Sequence, residues 1–138
     1  MNAGLRVFVR NRANRRCEYC HLSEEHEPFI AFHVEHIVAI QHHGDDDPSN
    51  LCLACASCNL HKGPNLSGRI AATGEIVQLF HPRRDIWEEH FEWAGPLLIG
   101  LTPVGEATIA VLGINLPENI DHRKELIAEG VFPINHDT

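Results

Sequence analysis

The sequence has no long apolar run. Its continuous apolar stretches are only a few residues long, whereas a membrane-spanning helix needs about 20. Residues 1–16 carry positive charge but no apolar h-region and no small-residue cleavage site, so we expect no signal peptide and a cytoplasmic protein. Basic residues are scarce, with 11 Lys and Arg against 19 Asp and Glu and a formal charge of −8. This deficit argues against a protein that coats nucleic acid through its overall charge, although it does not exclude a local basic face.

Linkers, internal repeats and low-complexity segments are also lacking. A chain of 138 residues therefore predicts a single domain over 1–138. The composition, 43% apolar and 22% charged, is typical of a globular protein. A core of this size is only marginally stable through burial alone, which draws attention to the 5 Cys and 11 His.

Four of the cysteines form two CxxC knuckles, Cys17 with Cys20 and Cys55 with Cys58. Five thiols cannot all pair internally, and without an export signal we expect no disulfide framework. A CxxC knuckle lets two thiolates converge on one tetrahedral zinc, so these four residues predict a structural zinc site. A pair of redox motifs is the alternative, but the βαβ setting of such motifs is missing. Cys52, in an apolar run, is expected to be a buried small hydrophobe.

The 34 residues between the knuckles exceed the roughly 12–20 residues that a simple zinc module uses. Folded elements must therefore lie in this gap. Residues 29–35 are β-prone and predict a strand, and residues 44–48 predict a polar turn. Ser49 or Asn50 is expected to cap a short helix, and a further helix is predicted over 56–62.

The flanking segments predict further elements around this middle part. Local periodicity and caps predict a helix over 5–13, strands over 74–80 and 97–101, a short amphipathic segment over 85–91, and helices over 103–113 and 119–129. Trp87 and Trp93 are expected in the core. The C-terminal half is thus expected to pack on the zinc-held core as an extension.

The middle of the chain carries an ordered set of motifs: Glu35-His36-Ile37, Gly44, Asn50-Leu51 and Cys58-Asn59-Leu60-His61-Lys62-Gly63. With the two knuckles, it resembles the zinc-containing HNH endonucleases closely over residues 17–63, and the tail resembles small bacterial members of that family. The resemblance implies an α+β fold. The implied fold has a ββα-metal, treble-clef-like core over about 5–65, which a four-cysteine zinc site stabilises, and a small α/β extension over about 66–138.

The resemblance also implies metal-dependent hydrolysis of DNA phosphodiester bonds. His36 would be the general base that activates a water, and Glu35 and Asn59 would hold a catalytic Mg²⁺ or Mn²⁺. Asn50 would tie the hairpin together and help to orient His36. His61 would be either a third ligand or a phosphate contact. The family often has Asp where this chain has Glu35, which bears on the geometry and preference of the metal.

Elementary chemistry supports these roles independently. A neutral imidazole, with a pKa of ~6.5, can take a proton from water near neutral pH, and a hard, oxygen-ligated cation suits phosphate charge. Neighbouring strand residues point to opposite faces, so Glu35 and His36 require a strand end or a bulge. His42 and His43 are expected in an exposed loop. Residues 45–47 are expected to be a solvated turn, because they lack the spacing of a calcium loop.

Four basic residues are candidates for phosphate contacts: Arg10, Arg15, Arg16 and Lys62. The negative net charge predicts that a homodimer or a targeting protein helps the chain to find DNA. An RNA backbone would suit the same chemistry. The alternative from another class is a non-catalytic zinc module that binds nucleic acid or protein. Such a module has no need of Glu35, His36 and Asn59 together.

Overall fold

The computed structural model describes residues 1–133. Its elements, in chain order, are α1 Ala3–Arg12, β1 His33–His36, β2 Leu51–Ala54, α2 Ala56–Lys62, β3 Ser67–Arg69, β4 Ile76–Gln78, α3 Trp87–His90, β5 Phe91–Ala94, β6 Leu97–Gly100, α4 Pro103–Leu112 and α5 Pro117–Ala128. Within this part of the chain, the strands pair as antiparallel neighbours, β1 with β2, β3 with β4 and β5 with β6. The predicted α+β class is confirmed.

Helix α1 covers the β1–β2 hairpin. The Asn2 side chain accepts a hydrogen bond from the Leu5 amide at 2.8 Å, which starts the helix before the predicted boundary at residue 5. Val9 is fully buried on the inner face. The Arg12 guanidinium donates to the Leu51 carbonyl at 2.8 Å, so the end of α1 is fixed to the start of β2.

Strand β1 begins later than the sequence predicted, at His33 instead of residue 29. Phe29 is 97% exposed, and β1 pairs with β2 only from His33 opposite Ala54 to His36 opposite Leu51. The apolar run before His33 therefore has no strand to pair with. The predicted strand over 29–35 is wrong for its first residues and confirmed for 33–35.

The predicted helix cap at Ser49 or Asn50 is also wrong. The Asp47 side chain accepts from the Ser49 amide at 2.9 Å and caps a single 3-10 turn over Pro48–Asn50. The chain then enters β2, all of whose residues are buried. Burial of this segment against β1 and α1 outweighs the local helix signal.

The connection between β1 and β2 is closed by Asn50. Its side-chain oxygen accepts from the Val38 amide at 2.8 Å, and its amide nitrogen donates to the carbonyls of Val38 at 3.0 Å and Asp45 at 2.9 Å. At Gly44 an added Cβ would lie 1.7 Å from the Val38 carbonyl oxygen, so this close approach requires glycine. Asn50 thus makes three side-chain hydrogen bonds within the segment that connects β1 to β2, and its role in orienting His36 stays a prediction.

The C-terminal part packs on α2 through α4. Helix α4 has the predicted signals: the Thr102 hydroxyl accepts from the Gly105 amide at 3.1 Å, and Gly113 ends the helix in the left-handed region. Helix α4 also contacts β3, β4 and β6. Trp87 and Trp93 pack against the core, as predicted. The single domain over 1–138 stays a prediction, and residues 134–138 lie outside the described part.

None of the helices in residues 1–133 combines the length and the apolarity that a membrane span needs.

Candidate active site and metal centre

The two knuckles meet at the start of α2. The Sγ atoms of Cys17, Cys20, Cys55 and Cys58 all lie within 4.8 Å of one another, and all four residues are buried. The sulfurs of Cys20 and Cys55 are 3.7 Å apart. A tetrahedron with Zn–S bonds of about 2.3 Å requires sulfurs about 3.8 Å apart. The cluster therefore fits a zinc ion.

Backbone amides in each knuckle point at the sulfurs. The Cys20 amide donates to Cys17 Sγ at 3.5 Å, and the Cys58 amide donates to Cys55 Sγ at 3.4 Å. Within the cluster the thiols act on one another: hydrogen bonds from Cys17, and then from Cys20, lower the pKa of the Cys55 thiol and raise the pKa of the Cys58 thiol. Hydrogen bonds from Cys17, and then from Cys55, raise the pKa of the Cys20 thiol. Donors that stabilise thiolate charge favour the form that binds metal. The chemistry of this donor set thus agrees with its geometry.

Cys52 lies outside this cluster, as predicted. It is fully buried in β2, and its thiol is 3.4 Å from Glu35 Oε1 and 3.6 Å from the Tyr19 hydroxyl. Cys52 is therefore a packing neighbour of Glu35 and not a fifth member of the zinc-type site.

A cleft of about 440 Å³ opens where β1 ends beside α2. Its lining includes Glu35 and His36 from β1, Asn59 from α2, and Gly63 just after α2. His33 and Gln41 also line it. The left-handed φ of 50° at Gly63 ends α2 at the edge of the cleft. The fold thus brings together the predicted base and the two predicted ligands of the catalytic metal.

Glu35 is held by a buried polar network. Only 7% of the residue is exposed, and its Oε1 accepts from the Tyr19 hydroxyl at 2.7 Å. The Lys62 ammonium lies 3.9 Å from the same oxygen. Burial raises the pKa of the Glu35 carboxyl, and the charge of Lys62 opposes this rise. Sequence reasoning missed Tyr19, whose signal was its position inside the first knuckle.

His36 is the last residue of β1, which satisfies the expected strand end. Its Nε2 lies 2.7 Å from Asp46 Oδ1. That hydrogen bond lowers the pKa of the Asp46 carboxyl below its usual range. The sequence predicted only a solvated turn over 45–47, so the contact between Asp46 and the predicted base is new.

The structure does not bring His61 to this cleft. Residues 59 and 61 are separated by about 200° around a helix, and His61 lines a different cavity, together with His122. The ring Nδ1 of His61 lies 2.7 Å from the Ser57 carbonyl oxygen in the preceding turn. His61 therefore faces away from Glu35 and Asn59.

The predicted phosphate contacts differ in their accessibility. Lys62 is 2% exposed and donates to the Ile37 carbonyl at 3.1 Å, so its ammonium lies in the interior. Arg10 donates to Glu24 and, at 3.0 Å, to the Phe32 carbonyl. The Arg15 side chain is 59% exposed and lies 3.5 Å from Glu24. Arg16 also has interactions within the chain.

Comparison with known families agrees with the site. The family model described as HNH endonuclease matches residues 17–65, which contain the four cysteines, the β1–β2 hairpin and α2. Over this segment the chain is similar to the HNH endonucleases, which confirms the resemblance inferred from the sequence. The match indicates a nucleic-acid-related function. No curated protein and no solved structure was found to match the chain.

We predict that Lys62→Met lowers the free energy of unfolding by about 3–5 kcal/mol, because it leaves the Glu35 carboxylate buried without its cation. Urea denaturation measures the loss. Lys124→Met, at an exposed position of α5, is the control and should change stability little. The double variant Lys62→Met/Glu35→Gln should recover part of the loss. Additive losses in the double variant would contradict coupling between the two side chains.

Proposed function

We propose that the protein is a metal-dependent HNH endonuclease that hydrolyses phosphodiester bonds in DNA. The observation that carries this proposal is the placement of Glu35, His36 and Asn59 around one cleft, in a segment that matches the HNH family. The four-cysteine cluster would hold a structural zinc that joins the chain before β1 to the start of α2.

The donors in the cleft suit a hard divalent cation. Glu35 offers a carboxylate and Asn59 an amide oxygen, which are ligands that Mg²⁺ and Mn²⁺ prefer. These two residues would hold the ion, which when bound neutralises the charge that develops on the phosphoryl oxygens. Tyr19 donates to Glu35 Oε1 at 2.7 Å, so the carboxylate is positioned before any substrate arrives.

The chain itself supplies the base. His36 would take a proton from a water in the cleft, whose oxygen then bonds to phosphorus while the bond to the leaving sugar oxygen breaks. Asn50 holds the loop that follows His36 through its bonds to Val38 and Asp45. A base that is fixed in this way requires little reorganisation to reach the transition state.

A non-catalytic zinc module is the second candidate. Such a module would keep the cysteine cluster but would gain nothing from a buried carboxylate beside an imidazole and an amide in one cleft. Plasmid nicking by purified protein with Mg²⁺, Mn²⁺ or EDTA separates the two. Metal-dependent nicking supports the endonuclease. No cleavage of plasmid, linear duplex or single-stranded DNA with either metal would overturn it, and cleavage of RNA alone would replace the proposed substrate.

The net charge of −8 bears on how substrate is found. Four thiolates and one Zn²⁺ would add about −2 to the site, so we infer that a homodimer or a targeting protein assists binding to DNA. The cytoplasm is the location that we propose, because zinc-bound thiolates persist in a reducing compartment.

Phosphate contacts are proposed for Arg15, which is exposed, and for its half-buried neighbour Arg16. Arg15→Gln combined with Arg16→Gln should make the salt dependence of DNA binding shallower, by about 0.9 in the log–log slope for each phosphate that is no longer neutralised. Fluorescence anisotropy over a salt series measures this slope. Arg10→Gln is the comparison variant. Because Arg10 donates hydrogen bonds to Glu24 and to the Phe32 carbonyl, this substitution should lower the stability of the protein and leave the salt slope nearly unchanged. An unchanged slope in the double variant would assign these arginines to structural roles.

A further inference from the structure

The contact between His36 and Asp46 fixes where the imidazole proton lies. Asp46 Oδ1 is 2.7 Å from His36 Nε2, and an ionised carboxylate only accepts hydrogen bonds. Nε2 must therefore carry the proton. A neutral imidazole has one ring N–H, so the lone pair is left on Nδ1.

The loop that carries Asp46 is fixed by its own hydrogen bonds. Asp45 Oδ1 accepts from the Asp47 amide at 3.1 Å, and the Asp47 carboxylate accepts from the amide and the hydroxyl of Ser49 at 2.9 and 2.6 Å. The Asp45 carbonyl accepts from the Asn50 side chain at 2.9 Å. Asp46 is thus the middle residue of a turn that these hydrogen bonds fix, and its carboxylate contacts His36 at the end of β1.

The exposure of His36 and Asp46 determines how strongly their contact acts on the imidazole ring. The side chains of His36 and Asp46 are 20% and 49% exposed, so water screens the bond in part. Asp46 Oδ2 also lies 3.4 Å from the N-terminal ammonium. A carboxylate–imidazole bond in this setting is expected to act mainly by orienting the ring.

We propose that Asp46 is a positioning residue for the hydrolysis: its carboxylate holds His36 in the Nε2–H tautomer, so that Nδ1 is the atom that accepts the proton of the attacking water. The inference rests on the proposed endonuclease function. It assigns a role to an acidic residue whose neighbours, Asp45 and Asp47, serve the turn alone.

The test compares Asp46→Asn with Asp45→Asn. Both remove one negative charge from the same turn, but only the first changes the partner of His36. An Asn side chain can turn its NH₂ group towards Nε2 and favour the opposite tautomer. Asp46→Asn should lower kcat about 10- to 100-fold, which is part of the 10²–10⁴-fold that a general base supplies, with little change in KM. Asp45→Asn should keep kcat within about twofold, and Asp46→Glu should restore part of the loss.

A second readout is independent of catalysis. In ¹⁵N-labelled protein at about pH 8.5, where an ordinary imidazole is neutral, the ring nitrogens of His36 should show a protonated Nε2 and an unprotonated Nδ1. This pattern should weaken or reverse in Asp46→Asn and persist in Asp45→Asn. A protonated Nδ1 in the wild type, or an unchanged kcat in Asp46→Asn, would overturn the role of Asp46 while leaving the endonuclease proposal intact. Failure of the wild type to cleave any nucleic acid would overturn both.

Discussion

Replacing His36 by Ala is expected to lower the rate of DNA cleavage about 10²–10⁴-fold, the contribution of one general base. Zinc content, fold and DNA binding should be retained. The physical reason is position: His36 ends β1, and the partner that its ring contacts, Asp46, is half exposed. Removing the ring therefore leaves no buried polar group without a partner. Nicking kinetics at saturating Mg²⁺, with circular dichroism and zinc analysis, measure these effects.

The matched control is His42→Ala, in the exposed loop after β1 and outside the residues that line the cleft. It should nick at the wild-type rate. Asn59→Ala should also lose activity, but additional Mg²⁺ or Mn²⁺ should restore part of it, because the amide is proposed as a metal ligand. His36→Ala should show no such rescue. Wild-type nicking by His36→Ala, purified free of contaminating nuclease, would exclude His36 as the base.

Elements with local signals were predictable from the sequence. Helix α4 has an N-cap hydroxyl at Thr102, Pro at its first position and a left-handed glycine at its end, and each of these signals acts within one turn. Helix α2 is similar, since Cys55 caps it and Gly63 ends it. Strand boundaries depended on pairing instead. Residues 29–32 are as apolar as a strand, yet β2 is long enough to pair only with His33–His36.

The candidate site shows the same difference between features that local sequence signals predict and features that depend on tertiary contacts. The four cysteines were predictable because CxxC spacing alone lets two sulfurs converge. The contacts of Tyr19 with Glu35 and of Asp46 with His36 join residues 16 and 10 positions apart. The first arises only when the first knuckle packs against β1, and the second only when the segment between β1 and β2 folds back onto His36. The burial of Lys62 has a tertiary cause too. A lysine at the end of a short helix is ordinarily exposed, but here the buried Glu35 lies 3.9 Å from its ammonium.

Cys58→Ala is expected to abolish zinc binding and to unfold the core. Structural zinc contributes about 10–16 kcal/mol in small zinc domains, which is comparable with the whole stability of a domain, about 5–15 kcal/mol. Here the four sulfurs join the segment before β1 to the start of α2. Loss of one ligand should therefore release both knuckles. Elemental analysis of chelator-treated protein and thermal unfolding followed by circular dichroism measure the two effects.

Cys52→Ala is the matched control for Cys58→Ala, because it removes an equally buried thiol that lies outside the four-sulfur cluster. This variant should keep about one zinc per chain and a cooperative transition, with a loss of stability of about 1 kcal/mol for the missing sulfur. Wild-type protein should likewise bind one zinc, and a strong chelator should unfold it as Cys58→Ala does. Well-folded wild type with less than about half an equivalent of zinc, or Cys58→Ala that retains zinc and melts like the wild type, would contradict a structural zinc site. The comparison separates the metal from the packing, since both variants remove one buried sulfur and only one of them removes a ligand.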